Sequence, residues 1–236
     1  VVSAHIDLAH EPHPRPTLLS DFILGSQDGL VNVLGIVLGL TAAGTGSKVI
    51  LIASLAALAA ESISMGAVAY TSTLSRRNLY VSELARETQE MRDVPEMERE
   101  EVRVVLREWG YEGEEVETML RMIEAKPKAW LDIMMAFELN LAEVRPEQPR
   151  NSGLIVLGAT VVGSILPLVP LLAGIRPPTE AAIVAVILSG IGLAVIGWYE
   201  ARVTMGSIWV NAPRMMLIGL GAGLAGFLVG HFLGVA

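Results

Sequence analysis

Cysteine is absent from this 236-residue chain, which excludes disulfides and thiolate metal sites but leaves the compartment open. Charge is scarce, at 18% of residues, and histidine is scarcer still: His5, His10, His13 and His231 are the whole supply. The long acidic stretch from Glu83 to Arg145 holds no histidine, so it lacks the Glu-x-x-His pairs from which ferritin-type di-iron centres are built. The net charge of −8 offers no broad basic surface and argues against a nucleic-acid partner. No signal peptide with a cleavage site is visible, and the first apolar helix would serve as its own insertion signal. The absence of an initiator methionine at Val1 points to a trimmed or processed start.

What is abundant is apolar. The mean hydropathy is +0.52, and 23 residues are glycine, both far from the norm for a soluble globular chain. A helix needs about 20 largely apolar residues to cross the hydrocarbon of a bilayer. Five stretches meet that length: about Phe22 to Ala43, Val49 to Leu74, Gly153 to Ile175, Ala181 to Tyr199, and Met215 to Ala236. Five soluble core helices are the poorer reading, since helices apolar all round would outnumber the polar ones able to cover them. The fold class is therefore all-α, a multi-pass membrane protein with its spans interrupted once.

The interruption carries most of the charge: 18 of the 25 acidic residues lie between Arg76 and Arg150. Residues 1–16 read as a flexible tail, where a solvated, proline-broken arm explains His5, His10 and His13 better than metal binding does. Residues 17–78 hold spans one and two, 79–149 the helical insert, and 150–236 the remaining three spans. With the N-terminus inside, Arg15, Arg76, Arg77, the insert, Arg150, Arg202 and Arg214 fall on one side, and only Lys48 and Arg176 on the other. Lys and Arg mark the cytoplasmic side, so the insert is expected in the cytoplasm and the C-terminus outside. The second span has no proline and only Gly66 between Val49 and Met91, which predicts a helix running on into the insert. Asp93-Val-Pro95 is expected to cap and open the next helix, Trp109-Gly110 to end it, and a further helix to span about Glu112 to Ala125. Pro127 opens a last one reaching about Val144.

Within the insert stand two Glu-x-x-Glu pairs, Glu87/Glu90 and Glu98/Glu101, followed by Met134, Met135 and Glu138. Residues three apart share a helix face, so each pair presents four oxygens to one cation. A single pair is better explained as a solvated helix face, as are Glu83/Glu87, Glu96/Glu100 and Arg99/Arg103. Two pairs together with two thioethers and a further carboxylate favour a metal site. Thioethers are useless to Mg2+ or Ca2+ and tolerable to Fe2+, Mn2+, Co2+ or Zn2+.

The spans hold few charges. Asp28 follows Ser26-Gln27 on the first, and Glu61 precedes Ser62, Ser64 and Met65 on the second. Acids retained at membrane depth mark an ion- or water-filled path. Glu61 and Met65 are four apart and can meet one ion, although lipid or core packing explains Met65 alone equally well, and Asp28 alone could be an interfacial cap. The glycines of the last three spans, including Gly219-x-x-x-Gly223 and Gly226-x-x-x-Gly230, read as close-packing devices. Pro167 and Pro170 are expected to kink the third span. Glu200, Arg202 and His231 read as interfacial residues.

These features resemble the vacuolar iron transporter family of Fe2+ and Mn2+ transporters. The resemblance rests on the five spans, Asp28-Gly29-Leu30, Ile63-Ser64-Met65-Gly66 and the insert between spans two and three. It implies that Glu87, Glu90, Glu98, Glu101, Met134, Met135 and Glu138 bind metal, and that Asp28 and Met65 line the path. It further implies a homodimer, a pathway between subunits and proton antiport. One position departs: the family's glutamate two turns before the methionine is Ala57 here, while Glu61 stands one turn before it.

The function expected is export of Fe2+ or Mn2+ from the cytoplasm across a prokaryotic inner membrane or an organelle membrane. No enzyme activity and no prosthetic group are expected; Zn2+ and Co2+ are further candidate ions. Two other readings stay open: a membrane-anchored metal sensor or store without flux, and, less well supported, a di-metal enzyme on a membrane base.

Overall fold

The computed structural model describes residues 16–204 and 206–234. The N-terminal histidines and Arg15 therefore lie outside the described residues. Among those residues the fold is all helical: α1 (Pro16–Ala42), α2 (Ser47–Asp93), α3 (Pro95–Glu108), α4 (Glu114–Glu124), α5 (Pro127–Ile133) continued by a π-helical turn (Met134–Glu138), α6 (Gln148–Leu172), α7 (Pro178–Val203) and α8 (Ile208–Gly234). Five of them, α1, α2, α6, α7 and α8, are long and apolar enough to cross a membrane. The chain divides into two compact units, one holding residues up to Tyr70 and from Arg150 onward, the other Thr71–Pro149.

In the first unit, Val33, Leu34 and Val37 of α1 pack with Ile50 of α2, Leu168 and Leu171 of α6, and Ala181, Ala182 and Ala185 of α7. Glycine lets backbones meet where these helices cross. A Cβ at Gly25 would lie 2.5 Å from the Val156 carbonyl oxygen of α6, and one at Gly226 would lie 2.6 Å from that of Gly35. The Gly226/Gly230 pair expected to pack closely thus faces Gly35 and Gly39 of α1. Two hydroxyls at membrane depth turn back to their own helix: Thr160 donates to the Val156 carbonyl at 2.8 Å and Ser26 to that of Phe22 at 2.6 Å. This local bond satisfies a polar group where water is absent.

In the second unit, Val102 and Leu106 of α3, Val116 and Leu120 of α4, Trp130 of α5 and Met134 form a separate apolar core. Arg99 bridges Glu96 and Glu124, and Arg103 bridges Glu100 and Glu117, joining α3 to α4 across the surface. Gly110, at φ 91°, follows the α3 cap at Trp109, as expected.

Several expected boundaries differ: α1 starts at Pro16 rather than Phe22 and α6 at Gln148 rather than Gly153. Asp93 does not cap α3: it is the last residue of α2, bonded to Gln89 at 3.1 Å, and Val94 is the α3 cap with no side-chain bond. The helix opened by Pro127 stops at Glu138, not near Val144, because its last turn widens to i→i+5 bonding and Asn140 takes φ 51°. α8 starts at Ile208 rather than Met215, and Arg214, within it, pairs with Glu200 of α7 at 3.1 Å.

Candidate metal centre

α2 supplies Glu87 and Glu90 one turn apart, and α3 brings Glu98 to face them. One carboxylate oxygen from each of the three lies within 4.8 Å of the others. Two of the three are withdrawn from solvent, Glu87 at 1% exposure and Glu98 at 2%. The Oε2 of Glu98 is buried with no hydrogen-bond partner among the described residues. A buried carboxylate oxygen without a donor is costly, and a cation is the partner that would satisfy it.

Glu101 and Glu138 belong to the same electrostatic neighbourhood. Burial first, then the charges of Glu101, Glu87, Glu90 and Glu138, push the Glu98 carboxyl up to about 7. Glu138 is pushed up to about 7 by burial and by Glu101, Glu87 and Glu90. Glu101 is raised by burial and by Glu87 and Glu90, with its hydrogen bond to Glu138 opposing. Mutual repulsion of this kind favours either protons or a metal ion among the oxygens.

The π-helical turn carries Met134, Met135 and Glu138. Such turns are frequent at functional sites. Both thioethers are buried, and Met134 belongs to the apolar core around Trp130. Sequence reasoning passed over Arg86, which sits among the α2 acids: its guanidinium lies 3.0 Å from Glu83, 3.3 Å from Glu87 and 3.5 Å from Glu90. The spacing of Glu83, Arg86, Glu87 and Glu90 on one helix face was the available signal.

A second polar group lies between α1 and α2. The Asn32 amide donates to a Glu61 carboxylate oxygen, and Asp28, one turn earlier on α1, is within hydrogen-bonding reach of the same carboxylate. Asn32 is exposed on the single chain, and Asp28, Glu61 and Met65 are partly so. Asn32, four residues from Asp28 on the same helix, is the member of this group that the sequence analysis left out.

A sequence profile of the VIT family matches residues 19–231. The chain belongs to the VIT family. Vacuolar iron transporter 1 of Eucalyptus grandis is 34% identical over 210 residues, 89% of this chain and 84% of that protein. Vacuolar iron transporter 1 of Arabidopsis thaliana is 32% identical over the same shares, and the vacuolar iron transporter of Plasmodium falciparum is 26% identical over 91% of this chain and 82% of that one. VIT family proteins are transporters, not enzymes. With five helices able to span a bilayer, this VIT family chain is an integral membrane protein.

Proposed function

We propose that the chain exports Fe2+ from the cytoplasm, with Mn2+ as a second cargo, in exchange for protons. The iron in its relatives' names supports the first ion; the mixed carboxylate and thioether donors suit Mn2+, Zn2+ and Co2+ as well. The insert lies in the cytoplasm and captures ions through Glu87, Glu90, Glu98, Glu101 and Glu138 with Met134 and Met135, which raises their concentration beside the membrane. Asp28, Glu61 and Met65 pass them across. The membrane is that of an organelle such as the vacuole, or a prokaryotic inner membrane.

One observation carries transport over mere binding: two acids and an amide gathered between α1 and α2 within the spans. A charge at bilayer depth costs at least about 2.5 kcal/mol, which a passive anchor has no reason to bear. The group is partly open on the single chain, where lipid would be a poor neighbour, and this supports a homodimer with the path between subunits.

The test is purified protein in liposomes holding a metal-sensitive dye, with a pH gradient imposed. Fe2+ should enter the lumen when the lumen is acidic, in exchange for protons leaving it. Tight binding without flux at any gradient would instead favour the membrane-anchored sensor or store.

A further inference from the structure

Arg86 occupies part of the carboxylate cluster that an ion would use. Its Nη2 lies 3.3 Å from Oε1 of Glu87, and its Nε lies 3.5 Å from Oε2 of Glu90. Both acids belong to the group of three whose oxygens converge. Its shortest contact, at 3.0 Å, goes to Glu83 one turn earlier on α2, outside that group. Arg86 also opposes the acids' repulsion at Glu101 and at Glu138. The cluster is more than a run of surface acids, because Glu98 Oε2 is buried without a partner within it.

A guanidinium and a divalent ion compete for the same carboxylates, and two cations beside them repel. Several carboxylates packed together repel, and a proton or a cation among them relieves that repulsion. Once an ion arrives, the tethered charge becomes a competitor, and the side chain is half exposed and long enough to withdraw.

We propose that Arg86 is a built-in counter-ion that exchanges with the incoming metal: it shares its charge among Glu83, Glu87 and Glu90, and when an ion binds it gives up Glu87 and Glu90 and keeps Glu83. Arg86 is then a residue that sets affinity and release, and Glu83 is its resting partner. The device keeps a many-carboxylate site from holding its ion too tightly to hand it on. This inference rests on reading the cluster as an ion site.

Opposite signs from two substitutions test it. Mn2+ binding to the full chain in nanodiscs, read by electron paramagnetic resonance, should tighten about tenfold in Arg86→Gln, with slower release, because the competing charge is gone. Glu83→Gln should weaken binding, because Arg86 then has nowhere else to go. A general loss of structure would weaken both. Unchanged or weaker binding in Arg86→Gln, or a shift of the same sign in both, overturns the proposal. If Arg86→Gln fails to fold, the Glu83→Gln result decides alone: parental or tighter binding there rejects the exchange. A parental chain whose Mn2+ affinity is indifferent to Glu98→Gln with Glu101→Gln would instead remove the ion site itself.

Discussion

Asn32 on α1 and Glu61 on α2 are 29 residues apart in sequence and joined by a hydrogen bond from the amide to the carboxylate. The bond fixes one carboxylate oxygen while Asp28 approaches the same group. An ion crossing here would find two acids held ready, with the Met65 thioether one turn farther along α2. Glu61 stands one turn after Ala57 on α2, not at its position.

This arrangement predicts different outcomes for three neutral substitutions. Asp28→Asn and Glu61→Gln each remove a charge and should cut Fe2+ flux in liposomes by about tenfold or more. Asn32→Leu leaves both charges but removes the donor that orients Glu61, so flux should fall by less, with metal binding by the insert unchanged. Parental flux in Glu61→Gln, at the same dependence on the pH gradient, would take Glu61 out of the path.

Acid should loosen metal from the insert and, without metal, firm up its fold. Glu98 and Glu138 are pushed up to about 7 from 4.5, so the folded insert binds protons that the unfolded chain has released between those values. Stability falls as pH rises wherever the native state binds more protons; without metal, the contribution of these two groups is therefore full below about pH 4.5 and is lost as pH rises toward 7. Metal reverses the trend, because ligation requires the ionised carboxylates. Thermal unfolding of Thr71–Pro149 within the full chain, followed by hydrogen exchange, should show protection decreasing from pH 5.5 to 7.5 without Mn2+ and increasing with it. Protection independent of pH in the absence of metal would show that these carboxyls titrate normally.

The existence of the five spans was legible because each is a long apolar run, and the insert because the acids are concentrated there. Boundaries were less so, for local reasons. The last span was expected from about Met215, yet α8 begins at Ile208 and takes in Asn211, Pro213 and Arg214, the last paired with Glu200. The stop at Glu138 comes from an i→i+5 turn, which has no hydrophobic period of its own. Among the insert's carboxylates, the approach of Glu87, Glu90 and Glu98 depends on the turn at Val94 between α2 and α3, and spacing along either helix does not encode that angle.

The glycines of α8 are not equivalent, and substitution should separate them. A Cβ at Gly230 would collide with the Gly39 carbonyl, whereas one at Gly221 would meet nothing within 4 Å. Gly230→Val should therefore force α1 and α8 apart at a cost of about 1–3 kcal/mol, the usual range for overpacking. Gly221→Ala should be neutral or slightly stabilising, since alanine favours helix over glycine. Melting temperatures in detergent compare the two, and equal loss in both variants would show that α8 does not pack on α1 through this face.

Met134 and Met135 are adjacent and both buried, yet their surroundings differ. Met134 packs among Val102, Leu106, Val116, Leu120 and Trp130, while Met135 lies outside that core cluster and its carbonyl accepts from Leu141 at 2.8 Å. Met134→Ala should cost about 2–5 kcal/mol in the insert, as expected for emptying a core site. Met134→Leu keeps the volume and loses the sulphur, so stability should hold within about 1.5 kcal/mol. Metal affinity then isolates the thioether. If Met134 is a ligand as well as a core residue, Met134→Leu weakens Fe2+ binding while melting as the parent does, and Met135→Leu does the same. Should Met134→Leu bind Fe2+ with parental affinity and Met135→Leu not, one thioether serves the ion and the other only fills the core. That result would leave the carboxylates of α2 and α3 as the main source of binding and assign the π-helical turn the task of presenting Met135 and Glu138.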